Sequence, residues 1–171
     1  NEAEQIALCE YASTRTSEAI LDLLKALQIG GSESALERHL AGDGLPLSCH
    51  RMISFGEKAR RGLSSPSQNQ AKLGDPFSTA FGLTGALTCR AGVIAASAAD
   101  LPKHTRHFYP ALAHNYFDVV TTWYEHIQVG ANGGQVFAAV EQKRDAALYD
   151  FAVNPGHYLH LDEWVHSPFF A

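Results

Sequence analysis

The hydrophobic period of this 171-residue chain changes in blocks rather than in alternation. Helical spacing fills residues 3–28, where Ile20, Leu23, Leu24 and Leu27 form one apolar stripe. Gly30-Gly31 supplies a left-handed stop, and Ser32 reads as the cap of a second helix reaching about Leu40. Glu33 stands in that helix's first turn, favourable against the dipole. Gly42-Asp43-Gly44 then ends the helical block. Residues 46–55 predict a strand, 56–75 a long polar loop, and 76–94 two strands turning near Gly82–Gly85. A helix follows from Pro110, with Phe117, Val120, Tyr124 and Ile127 on one face. Another spans 134–151, with Val136, Phe137, Val140 and Leu148 apolar. Asn154-Pro155-Gly156 is a turn, and HYLHLDEWVHSPFFA alternates as a strand. Helices, strands, helices, strand: the order implies an α+β fold, and the length suits a single domain over 1–171.

Charge narrows the partners. Lys and Arg total 13 against 18 Asp and Glu, a formal −5 with His neutral, so a nucleic-acid partner is not expected. No apolar run reaches the roughly 18 residues of a membrane helix. The start, NEAEQIALCE, shows no charged-then-apolar leader, and a cytoplasmic chain is the expectation. Cys9, Cys49 and Cys89 are odd in number and lack a CxxC pair, which argues for reduced thiols and against a zinc ribbon.

The conspicuous titratable group is His157, His160, Asp162, Glu163 and His166. On a strand, His160, Asp162 and His166 face one way and His157 and Glu163 the other. A zinc site needs about three ligands around one point, and along a strand His160 and His166 stand roughly 20 Å apart, so neither half makes such a site by itself. The alternatives are a strand with locally bonded histidines or a functional role for one of them. Ser48, Ser64, Ser65 and Ser67 sit in no GxSxG pattern. Gly130–Gly134 precedes a helix but lacks phosphate-loop spacing, so a plain turn is the simpler reading. Lys58, Arg60 and Arg61 read as a solvated basic knot. Arg90, beside strand residues, is placed to pair with a carboxylate of a substrate or of the protein.

In order, these segments resemble the C-terminal pita-bread domain of the creatinase, aminopeptidase P and methionine aminopeptidase family. GGSESALERHL resembles its Gly, Glu, helix passage. FGEKARRGLSSPSQNQAKLGD resembles its loop ending in Gly-Asp. FGLTGALTCR resembles the strand pair that ends in Asp-x-x-Arg, and YFDVVTTWYEHIQVGANGGQVFAAVE its helix, Gly, helix segment. NPGHYLHLDEWVHSPF resembles the stretch that opens on Gly-His.

The resemblance implies a curved antiparallel sheet covered by helices, incomplete at both ends, with an N-terminal domain and final strands outside this chain. It also implies a homodimer. Family peptidases hold two metal ions with two aspartates, a histidine and two glutamates. Here Ala80 and Leu87 stand at the aspartate positions and Val165 at a glutamate position. Leu63 stands at the substrate-side histidine position, and His157 matches the ligand histidine. Apolar side chains cannot balance two cations, so a degraded site with no metal cofactor is expected. His157 and His160 are then the catalytic candidates of a metal-free, creatinase-like hydrolase. Arg90, Asp162 and Glu163 are the substrate-binding candidates for a small peptide-like or amidine-like ligand. A non-catalytic pseudoenzyme that binds or dimerises is one alternative. An active Xaa-Pro dipeptidase or aminopeptidase with two Mn, Co or Zn ions is the other, with Asp75, Asp162 and Glu163 near the relevant segments.

Overall fold

The computed structural model describes residues 2–62 and 64–151. They fall into two compact units, one running to Leu101 and the other beginning at Pro102. The expected turn at 154–156 and the expected final strand lie outside the described residues.

In the first unit, helix α1 spans Ala3–Ala26 and opens with the Glu2 amide donating to Gln5 Oε1 at 3.3 Å. Its buried stripe is Ala12, Thr16, Ala19, Ile20 and Leu23. Leu24 is exposed, so the stripe turns toward smaller residues than the leucine run suggests. Small side chains let α1 lie close on the sheet, where the Thr16 and Thr88 hydroxyls are 2.9 Å apart.

Gly30 takes φ +84° and its amide donates to the Ala71 carbonyl at 2.8 Å. Ser32 caps α2, Glu33–Glu37, by accepting from the Ala35 amide at 3.2 Å. The helix is shorter than expected. Past Glu37 the chain tightens into i→i−3 turns, with the His39 amide on the Leu36 carbonyl and the Leu40 amide on the Glu37 carbonyl. Leu40 still reaches the core.

Three strands form an antiparallel sheet in the order β1, β2, β3. They are β1 Met52–Phe55, β2 Pro76–Leu83 and β3 Ala86–Val93. The hairpin turns at Thr84-Gly85, and Gly85 takes φ +94°. β1 is shorter than the strand expected over 46–55, because its ladder is irregular. Leu47 bridges Leu83 and Met52 pairs with Ala80, so the four residues 48–51 lie against only two, Phe81 and Gly82, on the other side. The surplus residues include Ser48 and Cys49, which end up buried beside β2. The loop expected over 56–75 contains a short helix, α3, Glu57–Arg61.

Strand alternation gives the sheet two faces. Ile53, Phe55, Phe77, Phe81, Leu83 and Ala86 join Ile20, Leu23, Leu36 and Leu40 in the main core. Full burial of each large apolar side chain contributes on the order of 1.5–3 kcal/mol.

In the second unit, α4 is Phe108–His126 and α5 is Gly133–Lys143. The expected apolar face of α4 is not the buried one. Phe117 is 64% exposed and Tyr124 70% exposed, while Val119 and Thr122 are buried. Thr122 tolerates burial because its hydroxyl donates to the Asp118 carbonyl at 2.8 Å. On α5, Val136 and Val140 are buried as expected. Asn132 caps it through the Gly134 amide at 2.9 Å, so Gly130–Gly134 is a helix–helix turn. α5 ends well before residue 151. The Asn115 side chain accepts from the Asp145 amide at 2.9 Å and donates to the Lys143 carbonyl at 2.8 Å. Those bonds replace the next helical turn.

Candidate functional site

The second face of the sheet carries the positions to which the resemblance assigns chemistry. Met52 pairs with Ala80, and Ala80 pairs in turn with Cys89. Gly82 pairs with Leu87. Ala80, Cys49 and Met52 form a buried apolar cluster, and Leu87 packs against it. Ala80 and Leu87, the positions to which the resemblance assigns aspartates, are therefore neighbours in one apolar cluster.

That cluster leaves little room. A Cβ built on Gly82 would lie 2.2 Å from Ser48 Oγ, 3.0 Å from Cys49 Sγ and 3.1 Å from Leu87 Cδ1. Glycine is required there because the irregular 48–49 segment presses onto β2. The Ser48 hydroxyl donates to the Ala86 carbonyl at 3.3 Å, so its burial is satisfied.

A pair of divalent cations, as held by the pita-bread peptidases, needs several hard oxygen donors at this face. Ala80, Leu87, Met52 and Cys49 supply a methyl, an isobutyl, a thioether and a thiol. Among the described residues no three His, Cys, Asp or Glu side chains gather. The described side chains of this face do not fit such a centre. Asp75 precedes β2 and lies beside Gly56, roughly 16 Å along the strand from Ala80 at about 3.3 Å per residue.

Arg90 is exposed on β3 opposite Thr79, and its Nη1 donates to the Cys89 carbonyl at 2.6 Å. By strand alternation it belongs to the face of Thr88, not that of Leu87. His157, His160, Asp162 and Glu163, together with Leu63, lie outside the described residues.

A second polar centre was not legible in the spacing of residues. Glu33 is 0% exposed, not a solvated first-turn acid. Its carboxylate accepts from the Phe55 amide at 2.9 Å, the Ser67 amide at 2.8 Å and the Ser67 hydroxyl at 2.7 Å. Asn69 Nδ2 donates to it at 3.4 Å, and Lys58 Nζ at 2.6 Å. Burial pushes this carboxyl up, but Lys58, Ser67 and Phe55 outweigh it and hold it below the usual range. Lys58 is thus no part of a solvated knot; Arg60, by contrast, pairs at the surface with Glu57 at 3.2 Å. The signal available in sequence was a lone acid directly after a cap, which by itself reads as a dipole effect.

No protein-family model matches the sequence, and no curated protein matches it. Solved structures do match in fold. The X-Pro aminopeptidase of Thermotoga maritima aligns over 84% of this chain and 41% of its own, with TM-score 0.66 and 14% identity. The Xaa-Pro dipeptidase of Bacillus anthracis aligns over 84% and 41%, with TM-score 0.67 and 15% identity. Escherichia coli aminopeptidase P aligns over 84% and 34%, with TM-score 0.60 and 16% identity. The chain shares the pita-bread fold with these enzymes and spans less than half the length of each.

Proposed function

We propose that this chain is a peptidase-like domain of the Xaa-Pro dipeptidase and creatinase architecture whose dimetal site is degraded. It binds a small peptide-like or amidine-like ligand in the cleft. The observation that carries this reading is the packing of Ala80 and Leu87 into one apolar cluster with Cys49 and Met52. A face built this way desolvates a ligand without offering it a Lewis acid. In the hydrolase form of the proposal, His157 or His160 moves the proton of a C–N cleavage. Arg90, Asp162 and Glu163 contact the ligand's charged groups, the protein is a cytoplasmic homodimer, and no metal is resident.

The likeness in fold to three Xaa-Pro peptidases favours a second reading, an active dimetal dipeptidase whose donors come from outside the described residues. Elemental analysis of the purified protein, with hydrolysis assays, separates the two. Substoichiometric metal, with turnover of a guanidino or amide substrate lost in His157→Ala, supports the metal-free hydrolase. Substoichiometric metal without turnover supports the binding module. About two equivalents of Mn, Co or Zn with Xaa-Pro cleavage overturn the proposal.

A further inference from the structure

Helix α3 lies against β1 and β2 without burying a residue of its own. It is five residues long. A helix that short does not persist in water by itself. It is flanked by Gly56 at φ +61° and Gly62 at φ +62°, a region that L side chains rarely adopt. Ser78 Oγ donates to the Ala59 carbonyl at a long 3.4 Å. Among the described residues the ion pair of α3 to the core runs from Lys58 Nζ to Glu33 at 2.6 Å, and the same ammonium donates to the Ser65 carbonyl at 2.5 Å.

Position gives this a consequence. Ser78 lies two residues before Ala80 on β2, on the same face of the sheet, and pairs with Ser54. α3 therefore covers one end of the face that carries Ala80, Met52 and Leu87. If α3 lifted, Glu33 would keep the Phe55 and Ser67 amides, the Ser67 hydroxyl and Asn69 as donors. Lys58, already 27% exposed along its side chain, would pass into water. Opening would cost Glu33 its Lys58 partner but leave it four neutral donors, which limits the penalty of the second position.

We propose that α3 is a strap over the Ala80 face, hinged at Gly56 and Gly62 and held shut by the Glu33–Lys58 pair. Its role as a gate rests on the reading of that face as the ligand site; its mechanics do not. Hydrogen exchange by mass spectrometry on the whole chain tests the mechanics without any ligand. Lys58→Met keeps the unbranched stem and removes the charge. Amides of 57–62 should then exchange about tenfold faster or more, while those of 77–83 and 86–90 change less than about twofold. Glu33→Gln lowers global stability as well, so it should accelerate the amides of 57–62 beyond the general rise seen in α1 and β2. Unchanged exchange at 57–62 in Lys58→Met overturns the strap. So does an acceleration spread evenly through α1 and β2, which makes the pair a plain core contact. Local acceleration in a protein that carries two metal ions would keep the strap and retire the metal-free reading of the site.

Discussion

The hydroxyls of Thr16, on α1, and Thr88, on β3, meet at 2.9 Å in the interior of the first unit. Thr16 also donates to the Ser13 carbonyl at 3.0 Å, so Thr88 must donate to Thr16 across the helix–sheet boundary. Thr16→Val should cost about 1–2 kcal/mol by leaving the Thr88 hydroxyl short of a buried partner. The double variant Thr16→Val, Thr88→Val should cost less than the sum of the single ones. Urea unfolding of the three variants measures the coupling, and strict additivity would show the bond to be idle.

The acid limb of the stability curve should be governed in part by Glu33. Its carboxyl titrates below the usual range when folded, because Lys58, Ser67 and Phe55 outweigh burial. Its contribution is therefore fully present above the unfolded value of about 4.3 and fades as pH falls further. Glu33→Gln should lower stability at neutral pH by about 2–3 kcal/mol, since Lys58 loses its partner but reaches water. The variant should also lose stability less steeply between about pH 5 and pH 3. Thermal melts across that range read both effects.

Placing carboxylates in the apolar cluster should not create a metal site. Ala80→Asp, or Leu87→Asp, puts an ionised group among Cys49, Met52 and a hydrocarbon neighbour. The expected loss is about 2–4 kcal/mol. Added Mn(II) should leave the melting temperature of the double variant where it is. A metal-dependent rise would mean that oxygen donors from elsewhere converge on this face.

Gly82 should be among the least substitutable positions of β2. The Cβ of Gly82→Ala would collide with Ser48 Oγ and crowd Cys49 and Leu87. Overpacking of this kind costs about 1–3 kcal/mol. Combining it with Ser48→Gly removes the nearest atom and should recover part of the loss. Unfolding of the single and double variants by guanidinium provides the comparison.

Much of the local structure was legible because it is written in short-range terms. The Ser32 cap, the Gly30 corner, the Thr84-Gly85 hairpin and the Asn132 turn each follow from side chains or φ preferences acting within four residues. Elements failed at their ends. α5 stops because Asn115, from another helix, captures its last carbonyl, and β1 is short because the 47–52 segment bulges against β2. Neither partner is visible in a local window.

Faces were harder than elements. Phe117 and Tyr124 are far bulkier than Val119 and Thr122, yet Val119 and Thr122 are the buried ones. Hydrophobicity nominates a stripe, but the neighbouring helix decides which stripe it covers.

The sequence by itself determined that Ala80 and Leu87 could not ligate a cation, because residue chemistry needs no coordinates. It also determined the α+β order, because hydrophobic period is a local property. Only the tertiary structure decided that Ala80, Leu87, Cys49 and Met52 share one cluster, that Arg90 stands on the other face, and that Glu33 is a buried hub. Those outcomes depend on strand register and on bonds joining residues some 22 to 36 positions apart, where no periodicity carries information.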